Sequence, residues 1–299
     1  MKKRTSLLIY TIVIIEMCLI LATGCKKEKI DNKSTDPLNI ATVQIPAGTF
    51  TMGSPATELD FFADETQHQV TLSAFRMSKY EITNAQYAAF LNAKSIDSTG
   101  RYAAGAYSAQ TLIWPNRSRS DWGLHYTNGQ WVPAVSYENH PVINVTWYGA
   151  TEFATYAGAS LPTEAQWEYA CRATTTTTFN TGSCITNMHA NYNWAYQYGS
   201  CTNTITTYPG TTKSVGTYTA NNYGLYDMHG NIWEWCSDWY GTYPTTTQRN
   251  PTGASVGMAR VFRGGSWNGE ARFCRSASRA NYYPDSYTNF IGFRIALVP

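Results

Sequence analysis

Charge is scarce in this sequence. Acidic and basic residues together make up 14% of the 299-residue chain, against roughly 25% in an ordinary globular protein, and they nearly cancel at +2. No basic stripe is available to displace counterions from phosphates, so nucleic acid is excluded as a partner. The five histidines, His68, His125, His140, His189 and His229, supply no pair at zinc-protease spacing, and Glu-x-x-His runs are absent. A phosphate-cradling glycine loop ahead of a helix is also missing. Gly264-Gly-Ser-Trp-Asn268 fails as a nucleophile elbow because asparagine stands where the last glycine belongs. There is no internal repeat, and no apolar run reaches the roughly 20 residues of a spanning helix.

What the chain does have is aromatic and neutral polar surface. Aromatic residues reach 14%, with 22 tyrosines and 10 tryptophans. Such a chain buries a large core and covers it with Tyr, Thr, Asn and Ser, a composition suited to an extracytoplasmic protein. The N-terminus agrees: Lys2, Lys3 and Arg4 precede an apolar run from Leu7 to Leu21, then Ala22-Thr-Gly24 and Cys25. These last residues resemble a bacterial lipoprotein box, although Glu16 interrupts the apolar run and Ala22 replaces the usual leucine. The resemblance implies a signal peptide over residues 1–24, cleavage before Cys25, and lipidation of that cysteine. Its acyl chains would hold the protein at the membrane of the cell envelope, with the outer membrane as the expected destination. Residues 25–40 then form the lipidated cysteine and a polar, aperiodic tether, and one domain occupies 41–299.

Within that domain, Thr42–Gly53 alternates around Pro46-Ala-Gly48, as two short strands joined by a turn would, and His68–Tyr80 reads as another strand. Three helices are signalled by their caps. Thr83-Asn-Ala-Gln86 and Thr163-Glu-Ala-Gln166 are capping boxes, and Thr146 precedes an apolar face that Gly158 ends. Residues 95–135 and 172–222 read as long loops of Thr, Asn, Gly and Tyr, of a length that usually signifies function or a covalent restraint. Strand-like spacing returns from Arg260 to Val298.

Several segments in order resemble the formylglycine-generating enzyme, or sulfatase-modifying factor, family. They are Pro46-Ala-Gly-Thr-Phe-Thr-Met-Gly53, Lys79-Tyr-Glu-Ile-Thr-Asn-Ala-Gln-Tyr87, Pro141-Val-Ile-Asn-Val-Thr-Trp147 with Leu161-Pro-Thr-Glu-Ala-Gln-Trp-Glu-Tyr169, Tyr223-Gly-Leu-Tyr-Asp-Met-His-Gly-Asn-Ile-Trp-Glu-Trp235, and Arg263-Gly-Gly-Ser-Trp267 with Ile291-Gly-Phe-Arg294. The resemblance implies an α+β, variant C-type-lectin-like fold with short twisted sheets, few helices and many loops. It also implies copper(I) chemistry on two cysteines after the Gly-Gly-Ser, converting a substrate cysteine to formylglycine. Here Gly269 stands at the first cysteine and Cys274 at the second when counted from the glycines, whereas counting back from Ile291 moves Cys274 off that position. Copper is therefore not expected.

The resemblance further implies a disulfide between Cys171 and Cys274, while Cys184 and Cys201 flank a loop that a second bridge would close. Cys236 is left as a buried free thiol. Calcium is the expected cofactor, on Asp227 and Glu234 with the backbone at Gly230 and Ile232; Asn191 matches the start of a further calcium site. Two functions remain open. One is a binding or assembly module that meets an envelope protein, peptide or glycan through aromatic loops, with Trp114, Trp122, Trp131 and Trp194 as contacts. The other is an oxidase of a cysteine in an exported sulfatase or peptide that joins Cys274 to His229, Cys236 or a substrate thiol.

Overall fold

A computed structural model describes residues 38–115, 122–205 and 207–297. The signal peptide, lipidated Cys25 and tether expected from the sequence lie, as far as residue 37, outside the described residues. The folded unit begins at Leu38, ahead of the boundary expected at residue 41. Leu38 is buried, and its carbonyl accepts from the Gln86 side chain at 3.3 Å, which ties this end to the first helix. Among the described residues no helix is long and apolar enough to cross a membrane.

In chain order the elements are β1 (Thr42–Ile45), β2 (Gly48–Met52), β3 (His68–Leu72), β4 (Phe75–Ser78), α1 (Asn84–Ala93), β5 (Leu124–Thr127), β6 (Gln130–Pro133), α2 (Trp147–Tyr156) and α3 (Glu164–Arg172). There follow β7 (Trp233–Trp239), β8 (Gln248–Arg249), β9 (Arg260–Arg263), a 3₁₀ turn over Ala271–Cys274, β10 (Arg279–Tyr282), β11 (Ile291–Gly292) and β12 (Ala296–Leu297). They assemble into sheets ordered β1-β4-β12, β10-β9-β7-β11 and β2-β3-β8, with β5-β6 as a separate hairpin. The chain from His68 to Tyr80, read from its alternation as one strand, is two. It breaks at Ser73-Ala74, and β3 pairs with β2 while β4 pairs with β1. Each half thus enters a different sheet.

All three helices start where their caps indicate. Thr83 and Thr163 accept from Gln86 and Gln166 backbone N–H groups at 3.2 and 3.1 Å, and both glutamines return the bond. Thr146 accepts from Gly149 at 3.1 Å. Such caps are each worth about 1 kcal/mol. Between α1, α2 and β11 the rings of Tyr87, Phe90, Phe153 and Phe293 pack at centroid distances of 5.4–6.0 Å and form the main apolar centre.

The irregular chain is held by buried ion pairs. Arg294 makes a two-point contact with Glu234 at 2.6 and 2.7 Å, Arg275 does so with Glu65 at 2.7 and 2.8 Å, and Arg279 with Glu164 at 2.7 and 2.8 Å. Arg263 pairs with Glu168 and also donates to the carbonyls of Ala277 and Ser278 at 2.7 Å. Deleting one partner of such a pair strands a charge in the core. Arg294→Leu is therefore expected to lower the free energy of urea unfolding by about 3–5 kcal/mol; a loss below about 1 kcal/mol would show that Glu234 finds another partner.

Candidate functional site

The segment that would carry copper runs from β9 through the 3₁₀ turn. Gly264 and Gly265 both have positive φ, 103° and 76°, a conformation that disfavours other residues. A Cβ on Gly265 would lie 2.6 Å from the Cys274 sulfur, so the turn folds directly over that thiol. Trp267 packs edge-on against Trp122 at 5.5 Å and donates its indole N–H to Asn289 at 3.0 Å. Gly269 is half-buried, and the nearest atoms to an added Cβ there are 3.5 Å away. No thiol stands at Gly269, and Cys274 faces inward with 0% exposure.

The disulfide expected between Cys171 and Cys274 is not formed: both are free, buried thiols, as is Cys236. The imidazole of His229 touches both segments. Its Nδ1 donates to the Cys274 carbonyl at 2.7 Å, its Nε2 accepts from the Asn180 N–H at 3.0 Å, and the ring lies 3.9 Å from the Cys171 sulfur. The two cysteine-bearing segments are therefore joined through histidine. Burial holds this imidazole neutral, with its pKa lowered to about 4. Burial also pushes the Cys171 thiol up to about 12, and the Cys274 and Cys236 thiols upward. The expected bridge between Cys184 and Cys201 is present and closes the long loop.

That loop is not a display of free aromatics. Phe179, Ile185, Tyr192, Trp194 and Tyr198 form a small core of their own, and Asn187 and Asn203 exchange bonds with neighbouring backbone at 2.8 Å. Of the tryptophans expected as contacts, Trp122, Trp131 and Trp194 are buried. Trp131 and Trp194 donate their indole N–H groups to Ile96 and Ala190 at 2.8 and 3.1 Å. Only Trp114 of these four is exposed, at 39%, and it stacks on Tyr287 at 4.6 Å.

The turn before β7 gathers oxygen atoms. Asp227, Gly230 and Asn231 have positive φ, so the backbone curls tightly ahead of Ile232. Asp227 accepts from Gly216 N–H at 2.6 Å through one oxygen and shares a side-chain hydrogen bond with the Glu81 carboxyl, while Asn191 Oδ1 is buried without a partner. Asn231 connects them, donating to Glu81 at 2.9 Å and accepting from Asn191 at 3.2 Å. Burial first, and the neighbouring Asp227 second, hold the Glu81 carboxyl well above its usual range. Sequence reasoning missed Glu81 and Asn231, which lie far apart in the chain from each other. Glu234 is placed differently from the rest: its carboxylate is satisfied by Arg294 and by the Trp167 indole at 2.7 Å. Among the described residues no three His, Cys, Asp or Glu side chains are grouped to hold a metal ion. Any cation here would rest on backbone and amide oxygens as well.

The family described as the sulfatase-modifying factor enzyme 1-like domain matches residues 27–298. This chain belongs to that family. Formylglycine-generating enzyme of Streptomyces coelicolor is 32% identical over 277 residues, covering 85% of this chain and 88% of that protein. A protein of Chlamydia caviae named serine/threonine-protein kinase pkn1 is 33% identical over 275 residues, but the chain spans only 40% of its length. PvdO from Pseudomonas aeruginosa superposes with a TM-score of 0.66 at 25% identity, over 86% of this chain and 94% of that one. The α+β, variant C-type-lectin-like fold of the sulfatase-modifying factor family is thus the fold of this protein.

A second feature of this domain titrates near neutrality. In β7, Asp238 accepts from the Glu164 N–H and the Ser237 hydroxyl at 2.9 Å, and so caps α3 beside the cavity formed with His68 and Tyr243. Burial, with the Glu164 carboxylate nearby, pushes its pKa up to about 7. In the unfolded chain an aspartate ionises near 3.9. This group therefore contributes stability fully below about pH 4 and loses it as pH rises through about 7. The Asp238→Asn variant should gain on the parent across that window, at up to about 1.4 kcal/mol per pH unit, and then level off. Parallel urea unfolding curves of the two proteins across the window would refute this assignment.

Proposed function

We propose that this chain is an exported, lipid-anchored binding or assembly module of the bacterial envelope, in which the sulfatase-modifying factor domain has lost its copper chemistry. The observation that carries the reading is the pair of positions 269 and 274: a glycine at the first and a wholly buried, protonated thiol at the second. Copper(I) is held by soft thiolates. Neither other soft group supplies one, because both His229 nitrogens are engaged and Cys236 is buried with its thiol pushed upward. A peptide or envelope protein would instead meet exposed rings such as the Trp114–Tyr287 stack, since aromatic surfaces give large contact area at low entropic cost.

Copper(I) titration of the purified chain, with a cysteine-containing sulfatase peptide assayed on the same sample, tests this reading. No stoichiometric copper and no aldehyde product are expected. Gly269→Cys fits the open space at that position and should still not restore turnover, because the Cys274 sulfur stays under the Gly265 turn. Near-stoichiometric copper with aldehyde formation in the parent protein would make it an oxidase.

Calcium is the cofactor we assign. Asp227, with the backbone at Gly230 and Ile232 and the side chain of Asn191, would hold it. Glu234 would contribute least, since Arg294 and Trp167 already occupy its carboxylate. The orphaned Asn191 oxygen and the buried Asp227–Glu81 carboxyl pair support this set, because calcium takes hard oxygen ligands and satisfies buried acceptors. Its role would be to neutralise buried carboxyl groups and fix the turn. Calcium at about a hundred times its Kd should stabilise the domain by about 2.7 kcal/mol, and Asp227→Asn should remove most of that gain in thermal melts. An unchanged melting temperature on adding calcium would end the assignment.

A further inference from the structure

A cavity of about 480 Å³ lies away from both segments discussed above. It falls in the roughly 300–1,000 Å³ range of small-molecule sites. The β2–β3 ladder forms one wall with Thr49, Phe50, Thr51 and Gln69, and the end of α3 with Thr174–Thr176 forms the other. No lining residue comes from the 227–234 turn or the 264–274 segment.

The composition of this groove defines its ligand. Phe50, Tyr169 and Tyr223 make a continuous aromatic edge, with centroids 5.2 and 5.8 Å apart. Gly48 admits it: a Cβ there would stand 2.3 Å from the Tyr169 hydroxyl, although Gly48 needs no positive φ. The charged groups at the rim are already consumed. Arg172 donates to Glu168, to the Gly53 carbonyl and to Thr177, and Glu58 is paired with Arg275 and Thr178. Gln69 uses its amide N–H on Thr51 at 2.7 Å, which leaves its carbonyl oxygen open. The Tyr169 and Tyr223 hydroxyls bond to each other, and with the Gln67 amide and the hydroxyls of Thr174 and Thr176 they make the polar atoms of the groove uncharged and mostly able both to donate and to accept.

From this we infer a binding site for a neutral saccharide, whose C–H faces lie on the Phe50–Tyr169–Tyr223 edge and whose hydroxyls bond to the surrounding amides and hydroxyls. Among the described lining residues the charged groups are Arg172 and Glu58, and each is turned to protein partners, so an uncharged ligand fits the groove better than an anion or a cation. The inference rests on the binding-module reading and names one ligand class for it; it does not depend on the state of the 264–274 segment.

Saturation-transfer NMR on the full chain, with maltotriose, cellotriose, chitotriose and mannotriose each at about 10 mM, tests it at concentrations suited to millimolar affinity. At least one is expected to receive transfer, with binding insensitive to salt and weakened about tenfold or more by both Tyr223→Ala and Gln69→Ala. Gln69 is exposed, so its variant is a folding-neutral check on the first. Absence of transfer to all four, binding that survives both variants, or binding only of an acidic sugar or an uncharged hexapeptide overturns the inference. Copper loading, measured separately, decides the binding-module reading, so either can fail alone.

Discussion

Buried arginine–carboxylate pairs are the constraint on which this fold depends. Arg263, Arg275 and Arg294 are completely buried, and each reaches carbonyls or carboxylates from segments distant in sequence. Sheets of two to four short strands cannot by themselves hold so much irregular chain. A guanidinium presents five donors in a fixed fork, so one side chain can fix a carboxylate and several loop carbonyls at once. Pairs of this kind contribute less to net stability than apolar packing of equal volume would, but they penalise any alternative arrangement that leaves a charge unpaired.

The Glu234–Arg294 pair shows how this frame shapes the candidate site. Glu234 lies in β7, where Trp233 and Trp235 join one apolar cluster and Cys236 another. Its carboxylate is committed to Arg294 and Trp167, so the oxygens left over in the turn are those of Asp227, Asn191 and Glu81. Close by, His229 bridges the α3 and 274 segments, and Cys171 and Cys274 both remain free core thiols. Family membership thus fixes the fold, while the chemistry depends on a few positions. At those positions this chain differs from what its resemblance implies.

Much of this was legible in the sequence. Caps at Thr83, Thr146 and Thr163 located every α-helix among the described residues, because an N-cap is a local signal that needs no tertiary partner. The family segments carried the fold. Strand β7 was not legible, since nearly all of its residues are buried and the alternation that reveals a half-exposed strand is lost. The β5–β6 hairpin had a signal that the surrounding polar stretch obscured: Asn128-Gly129, with φ of 50° and 80°, is the usual two-residue turn. The burial of Trp131 and Trp194 was not legible either, because tryptophan suits a core and a contact surface equally well. Nor was the free state of Cys171 and Cys274, since two cysteines in a sequence carry no record of how their sulfurs are oriented.

The central claim is that Cys274 is a core residue and not a metal ligand. Peptide mass mapping after brief alkylation of native protein, purified without reductant, tests it most directly. The structure predicts that Cys171, Cys236 and Cys274 are recovered unmodified and unbridged, reacting only after unfolding, while Cys184 and Cys201 remain joined. Rapid labelling of Cys274 in the folded protein, or its protection by added copper, would contradict the account.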